Sequence, residues 1–169
     1  MALPTLIDPR KLALQEVILE GTVNVEDLPR LASSVTAICA PLWASVQFKL
    51  DESRAKVALG NIKVPVETVC QRCLDPLKME LQAEFAAQVI WSEDHLNRVA
   101  SNYEPWLVVD KLTSFSEMLE DEILLALPLV NYHNVGECTG DTFLHEEVDA
   151  AGDETVSDSP FNVLQQLKK

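Results

Sequence analysis

The chain has few positive charges and no long apolar run, and both shortages bear on which classes of protein it can belong to. Its 13 Lys and Arg face 27 Asp and Glu, which gives a net charge of −14, and a pole of that sign repels phosphates. No apolar run approaches the roughly 20 residues that a membrane-spanning helix needs. The first residues also lack the basic segment and apolar core of a secretory signal. We therefore expect a cytoplasmic protein that is not embedded in a membrane.

The sequence also lacks the short motifs that mark common catalytic sites. It has only 5 glycines and no glycine-rich phosphate loop, and neither a Gly-x-Ser-x-Gly nor a His-Glu-x-x-His segment occurs. His95 lies in a polar stretch and His145 in an acidic one, and neither has a nucleophile or carboxylate at a spacing that fixes a geometry. The sequence therefore predicts a protein that is not an enzyme and has no small-molecule substrate.

What the sequence does contain is an alternation of apolar and polar residues with a period of two, which is typical of strands. The alternation covers residues 15–25, 42–50, 55–64, 66–70 and 77–91. Paired in order, these runs form a meandering antiparallel sheet with one buried face. We predict an α+β fold, a mainly antiparallel β-sheet or partly open barrel covered by a few helices, with a flexible acidic C-terminal segment.

The length of 169 residues suits one domain that buries about two-thirds of its unfolded surface. We predict a single globular α+β domain over residues 1–136. Residues 137–158 carry eight acids and no Lys or Arg, a composition typical of a flexible acidic linker. Residues 159–169 are predicted to form a short amphipathic C-terminal helix, because Phe161, Leu164 and Leu167 share one face.

Several single residues give local predictions. Pro9 discourages a helix in the first 14 residues, and Asp27 is a candidate N-cap for a short helix that follows it. Gly60 indicates a bulge or bend inside a strand, and Pro65 is predicted to end that strand.

A helix is predicted after Ser114, which forms a capping box with Glu117. Apolar residues then follow at spacings of three and four, and Pro128 ends the pattern. This helix is expected to cover the sheet. Three consecutive acids are predicted to lie mostly on its outer face in solvent: Glu120, Asp121 and Glu122.

The four cysteines are expected to stay reduced in the cytoplasm, which favours metal ligands, reactive thiols or core residues over disulfides. Cys70 and Cys73 form a Cys-x-x-Cys pair after a strand, which suits half of a tetrahedral zinc site or a redox dithiol. His133 and Cys138 are the nearest pair in type that completes a Cys3His metal site, so the candidate cofactor is zinc. The alternatives are small buried residues near a sheet turn and a redox dithiol, while Cys39 is predicted to lie in the core.

Charge is spread unevenly along the chain. Residues 49–78 hold six Lys and Arg against four acids, whereas residues 79–158 hold 18 acids against two Lys and Arg, a balance of −16. An acidic pole of this size attracts a basic protein, although net negative charge also serves solubility alone. The candidate nucleic-acid-binding residues lie in the basic segment: Arg54, Lys56, Lys63, Arg72 and Lys78. No aromatic residues are interleaved with them, and a solvated sheet face is the alternative interpretation.

The ordered motifs resemble those of the YceD family, the large ribosomal RNA subunit accumulation proteins. The resemblance covers nearly the whole chain and rests on these segments: Cys70-Gln71-Arg72-Cys73 with Pro76, Tyr103-Glu104-Pro105, residues 120–128, His133 with Cys138, and residues 160–168. Some members of the family place a cysteine where this chain has His133 and continue into a further cysteine-bearing segment where this chain has residues 138–141. Because of this departure, the resemblance supports metal binding less strongly for this chain than for those members.

The resemblance implies a bacterial, cytoplasmic, non-enzymatic protein needed for normal accumulation of large-subunit ribosomal RNA. Three hypotheses follow. The leading one is a ribosome biogenesis factor whose acidic pole engages a basic ribosomal protein or a pre-ribosomal particle. The second is an RNA-binding module that uses the basic residues on ribosomal RNA, or alternatively a zinc-stabilised interaction domain, and the third is a redox or zinc-dependent enzyme.

Overall fold

The computed structural model of the protein describes residues 1–134 and 136–140, most of which form an open β-sheet with helices packed on it. Within these residues the elements are β1 Leu6–Ile7, α1 Pro9–Leu14, β2 Ile18–Val23, a 3-10 helix Val25–Asp27, α2 Pro29–Ser34, β3 Ala37–Ile38, β4 Leu42–Leu50, β5 Lys56–Val69, β6 Pro76–Ile90, a 3-10 helix Glu93–Arg98, β7 Glu104–Leu107, β8 Thr113–Ser114 and α3 Phe115–Leu125. The six-stranded sheet has the order β2-β4-β5-β6-β7, with β3 beside β5, and β1 pairs with β8. Only the pairing of β6 with β7 is parallel among these strands. The predicted α+β fold is confirmed, as an open sheet rather than a barrel.

One face of the sheet forms the core, as the alternating pattern predicts. On β6, Leu81, Phe85 and Ala87 are buried, while the intervening Gln82 and Glu84 are exposed. The same face of the neighbouring strands is apolar and meets α1 and α3 in one cluster of buried side chains. Burying each large aliphatic side chain contributes about 1.5–3 kcal/mol, so this face stabilises the whole sheet.

Gly60 does not mark a bulge, so that prediction is wrong. The register stays regular through it, with Val46 and Phe85 as its cross-strand neighbours. A Cβ atom at Gly60 would lie 2.1 Å from the Phe85 ring. The glycine therefore makes room for an aromatic ring that lies across the strand.

Pro65 does not end a strand either, because β5 runs without interruption from Lys56 to Val69. The pairing of β4 with β5 stops at Lys63, and the pairing of β3 begins at Val66. Pro65 lies in the gap between these two partners. Its missing N–H therefore removes no ladder hydrogen bond, which is the condition under which a strand tolerates proline.

The N-terminal segment corrects two further predictions. Pro9 begins helix α1 instead of preventing it, since a first-turn N–H has no partner inside a helix, and Asp8 caps the turn by accepting from the Lys11 N–H at 3.2 Å. Asp27 ends a 3-10 helix and is not the N-cap of α2. The N-cap residue of α2 is Leu28, which has no capping side chain.

Helix α2 is capped instead by a residue from α3. The Glu120 carboxylate accepts from the backbone N–H groups of Arg30 at 2.8 Å and Leu31 at 3.0 Å, and from Arg30 Nε at 2.9 Å. Only 1% of Glu120 is exposed. The prediction that it lies in solvent is therefore wrong, whereas Asp121 is exposed as predicted and also contacts the Arg30 guanidinium.

The capping box of α3 is confirmed at its serine, because Ser114 accepts from the Glu117 N–H at 3.3 Å. The predicted C-terminal helix over residues 159–169 lies outside the described residues. Of the predicted linker, only residues 137–140 are described, and Cys138 among them is buried. No helix in the described part of the chain has the length and apolarity that a membrane crossing requires.

Candidate metal centre

The two cysteines of the Cys-x-x-Cys pair lie in the turn between β5 and β6, residues 70–75, which we call the knuckle turn. The turn closes through hydrogen bonds from the Cys70 N–H to the Asp75 carbonyl and from the Leu74 N–H to the Cys70 carbonyl, both at 2.9 Å. Leu74 adopts a left-handed conformation with φ 64°. This tight reversal places the Cys70 and Cys73 side chains toward a common point.

The later segment that follows α3 supplies the other two side chains of the predicted set. Its backbone docks on the knuckle turn, because the Gln71 N–H donates to the Asn131 carbonyl at 2.8 Å. The Thr139 hydroxyl donates to the Asp75 carboxylate at 2.8 Å. These bonds bring together residues about sixty positions apart in the sequence.

The four predicted ligands converge on one centre. Ligand atoms of Cys70, Cys73, His133 and Cys138 all lie within 4.8 Å of one another. The Sγ atoms of Cys70 and Cys138 are 3.8 Å apart, and Cys73 Sγ lies 3.3 Å from His133 Nδ1. Two thiolates bound to tetrahedral zinc at about 2.3 Å are separated by about 3.8 Å, so the sulfur spacing fits such an ion. This Cys3His group is therefore close enough to hold a metal ion.

The orientation of His133 also suits a ligand. Its Nε2 lies 3.2 Å from the Pro76 carbonyl oxygen, which can only accept a hydrogen bond. Nε2 therefore carries a hydrogen, and in the neutral ring the lone pair of Nδ1 points at the cysteines. A ligating histidine that donates its other ring N–H to a carbonyl is the usual arrangement around a bound metal.

The surroundings of the thiols favour one thiolate even without an ion. Burial opposes ionisation of Cys70, but the N–H groups of Cys73, His133 and Arg72 outweigh it and lower its pKa to about 5. Burial likewise opposes the charged form of His133, yet its contacts with the two turn cysteines raise its pKa. Burial raises the pKa of Cys138. A cation at the centre stabilises the thiolate form of all three cysteines.

Cys39 does not belong to this group. It is exposed, so its predicted place in the core is wrong. Its N–H donates to the Pro65 carbonyl at 2.8 Å, which ties it to β5 just after β3.

Four of the five predicted nucleic-acid-binding residues divide between two ends of the sheet, and the fifth lies between them. Arg72 stacks on Tyr132 with the guanidinium carbon 5.0 Å from the ring centroid, and Lys78 pairs across from Glu67 near the knuckle turn. Arg54 and Lys56 lie at the opposite end of β5, about 36 Å away at about 3.3 Å per residue. Lys63 lies between the ends, on the sheet face opposite to the core.

Three residues near Arg54 and Lys56 were missed by the sequence reasoning: Trp91, His95 and Arg98 line the same cavity as these two cations. The available signal was the register of the predicted hairpin. Because Val57 pairs with Gln88, Lys56 must lie close to the end of β6, where Trp91 follows.

Comparison with known proteins gives a match over most of the chain. A family model described as large ribosomal RNA subunit accumulation protein YceD matches residues 59–168. A Haemophilus influenzae protein with that description is 30% identical over 174 aligned residues, which span 99% of this chain and 97% of the relative. No solved structure gives a significant match. The family match includes all four residues of the candidate metal centre.

Proposed function

We propose, on the premise that the chain belongs to the YceD family of large ribosomal RNA subunit accumulation proteins, that it is a non-enzymatic factor that supports accumulation of large-subunit ribosomal RNA. The family match covers residues 59–168, which include the knuckle turn and the segment that docks on it. We further propose that the metal centre is structural and that the protein acts by binding a partner.

The observation that supports a structural centre is the number of protein ligands. Cys70, Cys73, His133 and Cys138 are four donors around one point, which completes a tetrahedral shell. A catalytic zinc ion usually has three protein ligands and keeps one position open for water or substrate. A closed shell of three thiolates and one imidazole favours zinc over harder cations. Zinc at this centre would hold residues 129–134 and 136–140 against the sheet and so fix the surface around it.

The partner that the charge supports best is a basic ribosomal protein or a pre-ribosomal particle. Residues 79–158 have a balance of −16. A groove of about 450 Å³ between the 3-10 helix Val25–Asp27 and α3 is lined by exposed acids, among them Glu26, Asp27 and Glu117. Complementary charge of this kind accelerates association and is weakened by salt.

The test is affinity purification of the full-length chain at low and at high salt, with the bound ribosomal proteins and precursor particles identified by mass spectrometry. We expect recovery at low salt that falls as salt rises. The triple variant Glu26→Gln, Asp27→Asn, Glu117→Gln should recover several-fold less material, since it removes three charges from the groove.

A charge-matched control places three neutral substitutions outside both the groove and residues 79–158: Glu16→Gln, Glu20→Gln and Glu52→Gln, all at exposed positions. This control should recover as much material as the unmodified chain. Equal recovery by both triple variants would contradict a specific role for the groove. Failure to recover any ribosomal protein or particle at low salt would refute the partner proposal.

Direct contact with ribosomal RNA is the second candidate function. The observation that favours it is the grouping of cations at both ends of β5 in a chain with a net charge of −14. Charge reversal at Arg72 and Lys78, compared with reversal at Arg54 and Lys56, should show which end contributes. A phosphate contact that is lost lowers both the RNA affinity and its dependence on salt.

A further inference from the structure

A cavity of about 270 Å³ lies at the end of the sheet that is remote from the metal centre. Three segments enclose it: the turn between β4 and β5, the end of β6, and the 3-10 helix Glu93–Arg98. We call it the Trp91 cavity, and the residues that define it are Arg54, Lys56, Gln88, Trp91, His95 and Arg98.

The Trp91 cavity concentrates positive charge in an acidic protein. Three of the 13 Lys and Arg of the chain line it, and none of its described lining residues is an acid. They come from three separate places in the sequence: Arg54 from a turn, Lys56 from the start of β5 and Arg98 from the end of the 3-10 helix. No ion pair joins any of them to a carboxylate within residues 1–134 and 136–140. Their charges are therefore available to an anion.

The same cavity presents an aromatic ring. Trp91 follows directly on β6, and 47% of it is exposed. Lys56 Nζ lies 5.2 Å from the centroid of the Trp91 ring, and the His95 ring lies 5.0 Å from it at an angle of 59°. His95 Nδ1 has no hydrogen-bond partner among the described residues, so no internal bond fixes the imidazole. A phosphate held by Lys56 is thereby placed beside a flat apolar surface.

We propose that the Trp91 cavity binds one nucleotide of single-stranded RNA, with the base stacked on Trp91 and the adjoining phosphate held by the three cations. Single strands are bound by this combination, in which cations follow the backbone and aromatic rings stack on the bases. The volume of about 270 Å³ lies just below the 300–1,000 Å³ of most small-molecule pockets, so it limits the bound part to one nucleotide unit and leaves the rest of the strand outside.

The chemistry excludes double-stranded nucleic acid on two grounds. In a duplex the bases are already stacked on one another and are closed to Trp91, whereas an unpaired base in a loop or at an end is open. An extended double-stranded surface also needs a broad basic face, which a chain with a net charge of −14 does not offer here. This inference rests on the second form of the proposed function, direct contact with ribosomal RNA.

The test is a titration of the full-length, zinc-loaded chain against a fluorescein-labelled octauridylate, followed by anisotropy and by tryptophan fluorescence. We expect quenching of the tryptophan signal and an affinity that falls with salt. Trp91→Leu should weaken binding about 10-fold and abolish the quenching, because stacking on one base is lost. Trp91→Phe keeps an aromatic face and should retain most of the affinity.

The cations are tested separately. Arg98→Ala, at an exposed position of the 3-10 helix, should weaken binding several-fold and lower the slope of log affinity against log salt by about 0.7. Matched controls are Trp43→Leu, which lies on the other face of the sheet, and Lys11→Ala, which is exposed on α1. Both controls should bind like the unmodified chain, and thermal unfolding checks that each variant is folded.

Competition identifies the ligand class. Uridine monophosphate should displace the labelled strand at a lower concentration than inorganic phosphate or a phosphoserine peptide does. Equal competition by inorganic phosphate or by the peptide would overturn the proposal, since the base would then contribute nothing, and so would a Trp91→Leu variant that binds as tightly as Trp43→Leu. If particles co-purify with the chain while the oligonucleotide does not bind, the cavity proposal fails and the proposed function stands. Oligonucleotide binding that maps to the cavity without any particle recovery supports the cavity proposal and refutes the proposal that the protein binds a ribosomal protein or particle.

Discussion

Strand β5 has a turn at each end, and the two turns are held in different ways. The turn before it, residues 51–55, which we call the hairpin turn, closes with its own side chains. The Asp51 carboxylate accepts from the Ser53 hydroxyl and from the Ala55 N–H, both at 2.7 Å. The hydrogen bond from Ser53 lowers the pKa of Asp51, which indicates that the charged carboxylate is the form that holds the turn. The hairpin turn is therefore a local structure.

The knuckle turn after β5 depends on a distant part of the chain. Beyond its two backbone hydrogen bonds, it is tied to Asn131, His133, Cys138 and Thr139. Bringing such a segment back costs loop-closure entropy, which a bound ion offsets. The difference teaches that loss of the metal should loosen one end of β5 and leave the other end intact.

Removal of the proposed zinc ion is the change with the largest expected effect. At a zinc concentration 1,000 times the dissociation constant, binding adds about 4 kcal/mol to the free energy of unfolding, and a chelator should remove that amount. Hydrogen exchange should accelerate in the knuckle turn and in residues 129–134 and 136–140 but not in the hairpin turn. We expect one zinc ion per chain by elemental analysis.

Two cysteine variants sharpen this test. Cys138→Ser should lower zinc content and expose the knuckle turn to exchange, as the chelator does. Cys39→Ser changes an exposed cysteine outside the cluster and should leave zinc content and stability unchanged. Clearly sub-stoichiometric zinc in protein purified without chelators would contradict the Cys3His proposal.

A change in the shared core should affect both turns together. Glu120→Gln weakens the cap of α2 and removes the buried one of the two charge partners of Arg30, and we expect a loss of about 2–3 kcal/mol in thermal or denaturant unfolding. Asp121→Asn is the control, because 61% of the Asp121 side chain is exposed and its ion pair with the same Arg30 should contribute less than about 1 kcal/mol. If hydrogen exchange in the Glu120→Gln variant accelerates at only one of the two turns, the two ends of β5 do not both depend on the contact between Glu120 and α2.

The next effect depends on pH. Burial, and then the charges of Glu104 and Asp121, raise the pKa of Glu122 from an ordinary value near 4.5 to about 7. The folded state therefore keeps a proton that the unfolded state loses, and this contribution is full below about pH 4.5 and lost as pH rises to about 7. Glu122→Gln should match the unmodified chain at pH 5 and be more stable by about 1 kcal/mol at pH 8, a figure reduced for partial exposure.

Glu104 lies on β7 beside Ala87, on the half of β6 that leads to the Trp91 cavity. The pH dependence should therefore be accompanied by a change in hydrogen exchange along β7 and not at the knuckle turn. Melting temperatures of both proteins from pH 5 to pH 8 check the sign. A stability difference that does not vary with pH would show that Glu122 is not the group responsible.

The smallest effect comes from a feature that both turns share. Arg54 in the hairpin turn has φ 63° and Leu74 in the knuckle turn has φ 64°, a left-handed conformation that costs side-chain-bearing residues energy. Leu74→Gly and Arg54→Gly should each stabilise the fold by about 0.5 kcal/mol, after the greater chain entropy of glycine is subtracted. Arg54→Gly should also weaken binding of the octauridylate, whereas Leu74→Gly should not. Weaker binding in both variants would indicate that the two ends contact RNA together.

The alternating residues predicted the strands well because a period of two needs only neighbouring residues. β4 spans Leu42–Leu50 as predicted, and β6 differs from its prediction by one residue at each end. The predictions at Gly60 and Pro65 were wrong because the role of each residue depends on what lies across the strand. This is the Phe85 ring for Gly60 and a gap between two partner strands for Pro65. The prediction that Glu120 lies in solvent was wrong for the same reason, since its partner Arg30 is 90 residues away in the sequence.

By itself the sequence determined the sheet, the direction of its buried face, the types of the four candidate metal ligands and the family resemblance, because residue type and short spacing carry that information. Only the tertiary structure decided that Cys138 Sγ lies 3.8 Å from Cys70 Sγ, and that Trp91 lies beside Lys56. Both contacts join residues far apart in the chain. Their distances depend on strand register and on the docking of the later segment, which no local pattern specifies.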